Sequence, residues 1–64
     1  MFITVKDDII VNINNVKYVK KFEDTTFNNV SYILYIYFID NDCLKLDFKN
    51  IDDCNRIYEL FNKN

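Results

Sequence analysis

Two cysteines, a few paired carboxylates and five tyrosines are the residues of this chain with chemistry to offer, and their spacing decides how little of it is catalytic. Nucleophilic catalysis needs a Ser, Thr or Cys beside a base, and the chain has no histidine to serve as the usual one. Asp52 and Asp53 are adjacent on an expected helix, where neighbouring positions do not face each other, so they read as helix-start charges and not as an acid/base pair. Asp40-Asn41-Asp42 has the opening of a calcium loop without its turn glycine or closing glutamate, and is expected to be a hairpin turn. Cys43 and Cys54 supply two thiolates without the further Cys or His that a structural zinc requires. Glycine is absent altogether, which removes the phosphate-cradling loops of nucleotide enzymes. These residues point to no enzyme, no cofactor, no metal and no evident small-molecule substrate.

The cysteines are also too few for a disulfide scaffold. If Cys43 opens a strand and Cys54 lies in the second turn of a helix folding back along it, the strand carries the chain about 17 Å away. The helix then recovers only about 6 Å. That leaves the pair beyond the Cα separation of about 4.4 to 6.8 Å that a bridge needs, so reduced thiols are expected.

The elements that hold these residues follow from hydrophobic period. Alternation at period two recurs between clusters of Asn and Asp: Asp7-Asp8, Asn14-Asn15, Asp24 to Asn29, and Asp40-Asn41-Asp42. In a chain without glycine these are the residues best able to take positive φ in a tight turn. The pattern predicts strands at about 2–6, 9–13, 16–23, 30–39 and 43–49, the second and third being alternatively one bent strand broken at Asn14-Asn15. Short links favour an antiparallel meander of four to five strands. At the end of the chain the period changes. Ile51, Cys54, Ile57, Tyr58 and Phe61 share one stripe of a helix over 51–62, with Asn50 as N-cap.

The expected fold is α+β: a single domain over residues 1–64, with the C-terminal amphipathic helix packed on one face of the sheet. The expected core is Ile3, Val5, Ile9, Val11, Ile13, Leu34, Ile36, Phe38, Leu44, Leu46 and Phe48 against the helix stripe. A chain of 64 residues has little surface to bury, and its eleven Phe and Tyr residues answer that need with large side chains.

The fourth strand is apolar on both sides. Tyr32, Leu34, Ile36 and Phe38 point one way; Ile33, Tyr35, Tyr37 and Ile39 point the other, where one helix leaves the sheet facing water. In a meander Lys17 and Lys21 on one side and Lys45 and Lys49 on the other are expected to border that strip. Three readings follow: a second small core made by a curled sheet or by the 24–29 loop, a protein interface such as a homodimer, or a stacking platform for single-stranded nucleic acid. A net charge of −2 weighs against nucleic acid.

The reading that results is a small non-enzymatic protein-interaction module, homodimeric or bound to another protein, with a structural subunit of a larger assembly as a further alternative. The longest apolar run, Ile33 to Ile39, is too short to span a bilayer, and no export signal is evident, so cytoplasmic residence is expected. The dominance of Asn, Ile, Lys, Asp, Phe and Tyr suggests AT-rich codons, hence a low-GC bacterium or its phage, and with it the idea of an inhibitor or regulator of a host factor.

Overall fold

The computed structural model describes residues 1–6 and 8–62, so Asp7 of the expected first turn lies outside them. Five strands and one helix follow in the order β1 (Phe2–Thr4), β2 (Ile10–Asn12), a 3₁₀ turn (Ile13–Asn15), β3 (Val16–Thr26), β4 (Asn29–Phe38), β5 (Cys43–Phe48) and α1 (Ile51–Asn62). The class is α+β, as expected. The strands do not form one sheet, however: β1 pairs only with β2, and β3, β4 and β5 form a separate antiparallel sheet with β4 in the middle.

The division falls at Ile13–Asn15. The Asn12 side chain accepts from the Asn14 N–H at 3.1 Å, and the Val16 N–H closes the turn on the Ile13 carbonyl. A local side-chain bond of this kind offers the backbone an alternative to the ladder, so β2 stops here and β3 leaves in a new direction.

The β1–β2 ladder continues one step past its strands, and the ribbon's loop ties it to β5. Ile13 N–H donates to the Met1 carbonyl at 2.8 Å. The Lys6 ammonium donates to the Asp47 carbonyl and lies 5.1 Å from the centre of the Phe48 ring.

The core sits on one face of the three-stranded sheet. Leu34 and Ile36 of β4 are fully buried, Leu46 and Phe48 of β5 nearly so, and over them lie Val5 and Val11 from the ribbon and Cys54 and Ile57 from the helix. Each such aliphatic side chain contributes about 1.5 to 3 kcal/mol of burial. Ribbon and helix thus share a single face, which a five-stranded meander would not have allowed.

Three expected core residues fall outside, among them Ile13, which is half-buried in the 3₁₀ turn and not part of the cluster. Ile9 lies in the Lys6–Ile9 turn, where its N–H bonds to the Lys6 carbonyl, and remains 36 % exposed. Ile51, at the first helical position, overhangs the sheet and is 45 % exposed.

The helix begins as its cap dictates. Asn50 Oδ1 accepts from the Asp52 N–H at 2.8 Å, and Asp52 and Asp53 occupy the first turn, where the dipole favours negative charge. The turn between β4 and β5 is built similarly. Asp40 takes the Asp42 N–H at 3.1 Å and Asn41 adopts φ 73°, so this segment closes a hairpin.

The link between β3 and β4 is shorter than expected. Asp24, Thr25, Thr26 and Asn29 extend the ladder beyond the expected strand ends until only Phe27 and Asn28 remain to turn the chain. Phe27 takes φ 52° in a position where glycine or asparagine is usual, and stands 96 % exposed at the tip. The 24–29 segment therefore extends the sheet and does not fold back over it.

Candidate functional site

The face of the sheet opposite the core is organised by one irregularity in β3. Val16 lies across from Phe38 and Tyr18 across from Tyr37, so two steps along β3 match one along β4 and Lys17 is the extra residue of a β-bulge. The bulge reverses the alternation. Val16 and Val19, three apart, both pack against the core, while Tyr18, Lys20 and Phe22 turn to the other face.

On that face the register sets out three rows of three. Tyr18, Tyr37 and Cys43 form the first, Lys20, Tyr35 and Lys45 the second, and Phe22, Ile33 and Asp47 the third.

The rings interlock along this grid. Tyr18 and Tyr37 stack with centroids 4.5 Å apart, Phe22 meets Tyr35 edge to face at 5.4 Å, and Tyr35 lies 6.3 Å from Tyr37. Aromatic contacts of this geometry contribute about 0.5 to 1.5 kcal/mol each beyond area burial. The Lys20 ammonium stands 5.7 Å from the Tyr18 ring and 5.9 Å from the Tyr37 ring, a spacing that holds its charge over the π faces.

Mutual packing buries Ile33 to 7 % exposure and half-buries Tyr35 and Tyr37, while Tyr18 and Phe22 stay 44 % and 49 % exposed. Ile33 is not part of the main core cluster. The rings shelter one another from the side, and the known coverings, helix and ribbon, pack on the far face.

This arrangement redistributes the expected site residues. Ile33, Tyr35, Tyr37 and Lys45 do come together. Lys21 does not: it lies opposite Leu34 on the core face, where its ammonium donates to Asn55 Oδ1 at 3.0 Å and sits 4.8 Å from the centre of the Tyr58 ring. It fastens the helix to β3.

Lys17 projects from the bulge and donates to Asn41 Oδ1 at 3.2 Å. Ile39 lies past the end of β4, its N–H bonded to the Asn15 carbonyl, and Lys49 lies in the link between β5 and α1. Tyr18, Lys20 and Phe22 take the places expected of Lys17 and Lys21. The sequence holds one cue: Val16 and Val19 stand three apart, so both can face one core only where a bulge intervenes.

The chemistry available to this face is association. The Tyr37 phenol is held above its ordinary value of 10.0, first by desolvation and then by neighbouring Cys43, Tyr18 and Tyr35, so it is a neutral hydrogen-bonding group near pH 7. Cys43 is a free, exposed thiol on the face; Cys54 is free and fully buried under the helix. Burial pushes the Cys54 thiol up, against a smaller opposing effect of Lys21, which makes it a packing residue and not a nucleophile.

Among the described residues no three His, Cys, Asp or Glu side chains converge to hold a metal ion. Two shallow clefts lie against the helix ends, one lined by Val16, Lys17, Val19 and Phe61, the other by Lys21, Phe22, Tyr32 and Ile51, and neither brings a nucleophile beside a base. No described helix is long and apolar enough to cross a membrane. No protein-family model, curated protein or solved structure matches the chain.

Proposed function

We propose that this chain is a non-enzymatic interaction module that binds protein through the open face of its three-stranded sheet, acting by occupancy as a regulator or inhibitor does. The observation that carries this reading is the aromatic grid itself: a contiguous apolar surface rimmed by charge, on the side of the sheet away from helix and ribbon. Surfaces of that composition mark association sites, and Tyr is enriched in them because it supplies large contact area with a polar tip.

Lys20 and Lys45 flank Tyr35 in the middle row, with Asp47 at one corner. A partner with an apolar centre and acidic rim fits this pattern. Two copies laid face to face would instead bring four lysines together, so the face suits a different protein better than a second copy of itself.

Stacking of single-stranded nucleic acid on the same rings has less support. Of the four lysines expected to border the strip, only Lys45 does so; with Lys20 that makes two cations on the grid.

The test is affinity capture with the wild-type chain and with Tyr35→Lys, whose folding is checked by circular dichroism, alongside fluorescence anisotropy with mixed-sequence oligonucleotides. A stoichiometric protein retained by the wild type and lost with Tyr35→Lys is the expected result. Equal capture by both proteins, or salt-sensitive oligonucleotide binding without a protein partner, would overturn the reading.

A further inference from the structure

We infer that the chain also self-associates, through a surface separate from the open face: the free edge of β3 pairs antiparallel with the same edge of a second copy, about a two-fold axis at Phe22. The inference stands independently of the partner proposed for the grid.

β3 is an outer strand of its sheet, paired with β4 on one side only. Beyond the bulge its regular part runs from Tyr18 to Thr26, and every residue of it except half-buried Val19 is exposed. Alternate residues of an edge strand direct their N–H and C=O groups outward, which makes such an edge a template for another chain.

Lysines commonly guard these edges, and Lys20 and Lys21 on their own would do so. They are followed by Glu23 and Asp24, and the four charges are arranged as an antiparallel palindrome about Phe22. With Phe22 opposite Phe22 of the second copy, Lys20 faces its Asp24 and Lys21 its Glu23, and symmetry repeats both contacts. The ends also match, Tyr18 meeting Thr26 and Val19 meeting Thr25, so the regular segment pairs along its whole length without overhang.

No other register does this. A slip of two residues sets Lys21 against Lys21 or Glu23 against Glu23; a slip of four sets Lys20 or Asp24 against itself. Odd registers bring residues of opposite faces together and mismatch the outward backbone groups. A strand defended by lysine alone would repel its copy everywhere. This one meets a like charge at slips of two and four, and pairs opposite charges on matching faces in the register centred on Phe22.

In that register Phe22 meets its counterpart on the open-face side, with the Lys20–Asp24 contacts on either side of it. Lys21 already gives one of its three N–H groups to Asn55, leaving others for Glu23 of the second copy. The product is a six-stranded sheet in which two aromatic grids lie side by side on one surface.

The experiment compares oligomeric state by sedimentation across micromolar to millimolar concentration for five proteins: wild type, Lys20→Asp, Asp24→Lys, the double variant Lys20→Asp/Asp24→Lys, and Tyr35→Lys. The double variant keeps the net charge at −2. The wild type is expected to dimerise, each single reversal to weaken the dimer by at least about tenfold, and the double variant to restore it. An equimolar mixture of the two single variants is expected to form a mixed dimer, and Tyr35→Lys to dimerise as the wild type does. A monomeric wild type, or a dimer that both single reversals leave intact, overturns the edge. A dimer broken by Tyr35→Lys and not by Asp24→Lys also overturns it, while leaving the open-face reading in place.

Discussion

The two faces of the β3–β4–β5 sheet both carry large apolar side chains and come to opposite ends. On one, Leu34 and Ile36 reach zero exposure because two separate elements, the β1–β2 ribbon and α1, converge on them. On the other, Tyr35 and Tyr37 are as central in β4 but are sheltered by side chains of the sheet itself, among them Tyr18, Phe22 and Cys43, with no further element packed over them. The residue types differ accordingly. Branched aliphatic side chains, with no polar atom to satisfy, fill the closed face; phenols and lysines, which keep a polar tip in water while their bodies pack, fill the open one. The difference teaches that apolar content alone does not mark a core: what separates core from contact surface here is whether a second element arrives.

The sharpest way to break this comparison is to truncate one residue on each face. Leu34→Ala should cost about 2 to 5 kcal/mol in urea unfolding, enough to threaten the whole stability of a chain this small. Tyr35→Lys, its neighbour in sequence, should cost less, about 1 to 3 kcal/mol, because its ring forfeits two aromatic contacts without leaving a cavity. Similar losses at the two positions would mean that the faces are equivalent cores.

A smaller effect probes the closing element itself. Asn50→Ala removes the cap of α1 and should lower stability by about 1 kcal/mol, measured by the same unfolding curves, with no change in what the open face binds. Loss of binding with this variant would show that the helix side takes part.

The smallest effect is electrostatic and comes from both faces. Tyr37 and Cys54 are each held above their ordinary values of 10.0 and 9.0, so the folded chain keeps protons that the unfolded chain has already released. Their contribution is complete below those ordinary values and is lost as pH rises through the raised ones. Stability should therefore decline on the alkaline side, and Tyr37→Phe should make that decline shallower when urea midpoints are compared from about pH 8 to about pH 11. An unchanged slope would mean that Tyr37 is solvated like an isolated phenol.

Much of this was legible from the residues alone. The helix and its cap were, because Asn50, Asp52 and Asp53 precede a stripe of clear period. The central strand was too, because Leu34 and Ile36 alternate with Tyr35 and Tyr37. The partition into two sheets was not, since it depends on Asn12 turning its side chain onto the backbone at Asn14, a local choice that leaves no periodic trace. The membership of the open face was misjudged for a related reason. Strict alternation assigns Lys17 and Lys21 to it, and one inserted residue exchanges them for Tyr18, Lys20 and Phe22. Phe27 at the hairpin tip also escaped, because its positive φ runs against the preference of its residue type and nothing in the structure explains the choice of phenylalanine there.

The central claim is that the fold leaves the Tyr35–Tyr37 surface open to solvent while closing the opposite one. Nuclear magnetic resonance with a soluble paramagnetic agent tests this most directly in dilute solution. Strong broadening of the ring signals of Tyr18, Phe22, Tyr35 and Tyr37, with the Leu34 and Ile36 methyls spared, is the result expected. Tyr35 and Tyr37 rings as protected as those methyls would contradict the account.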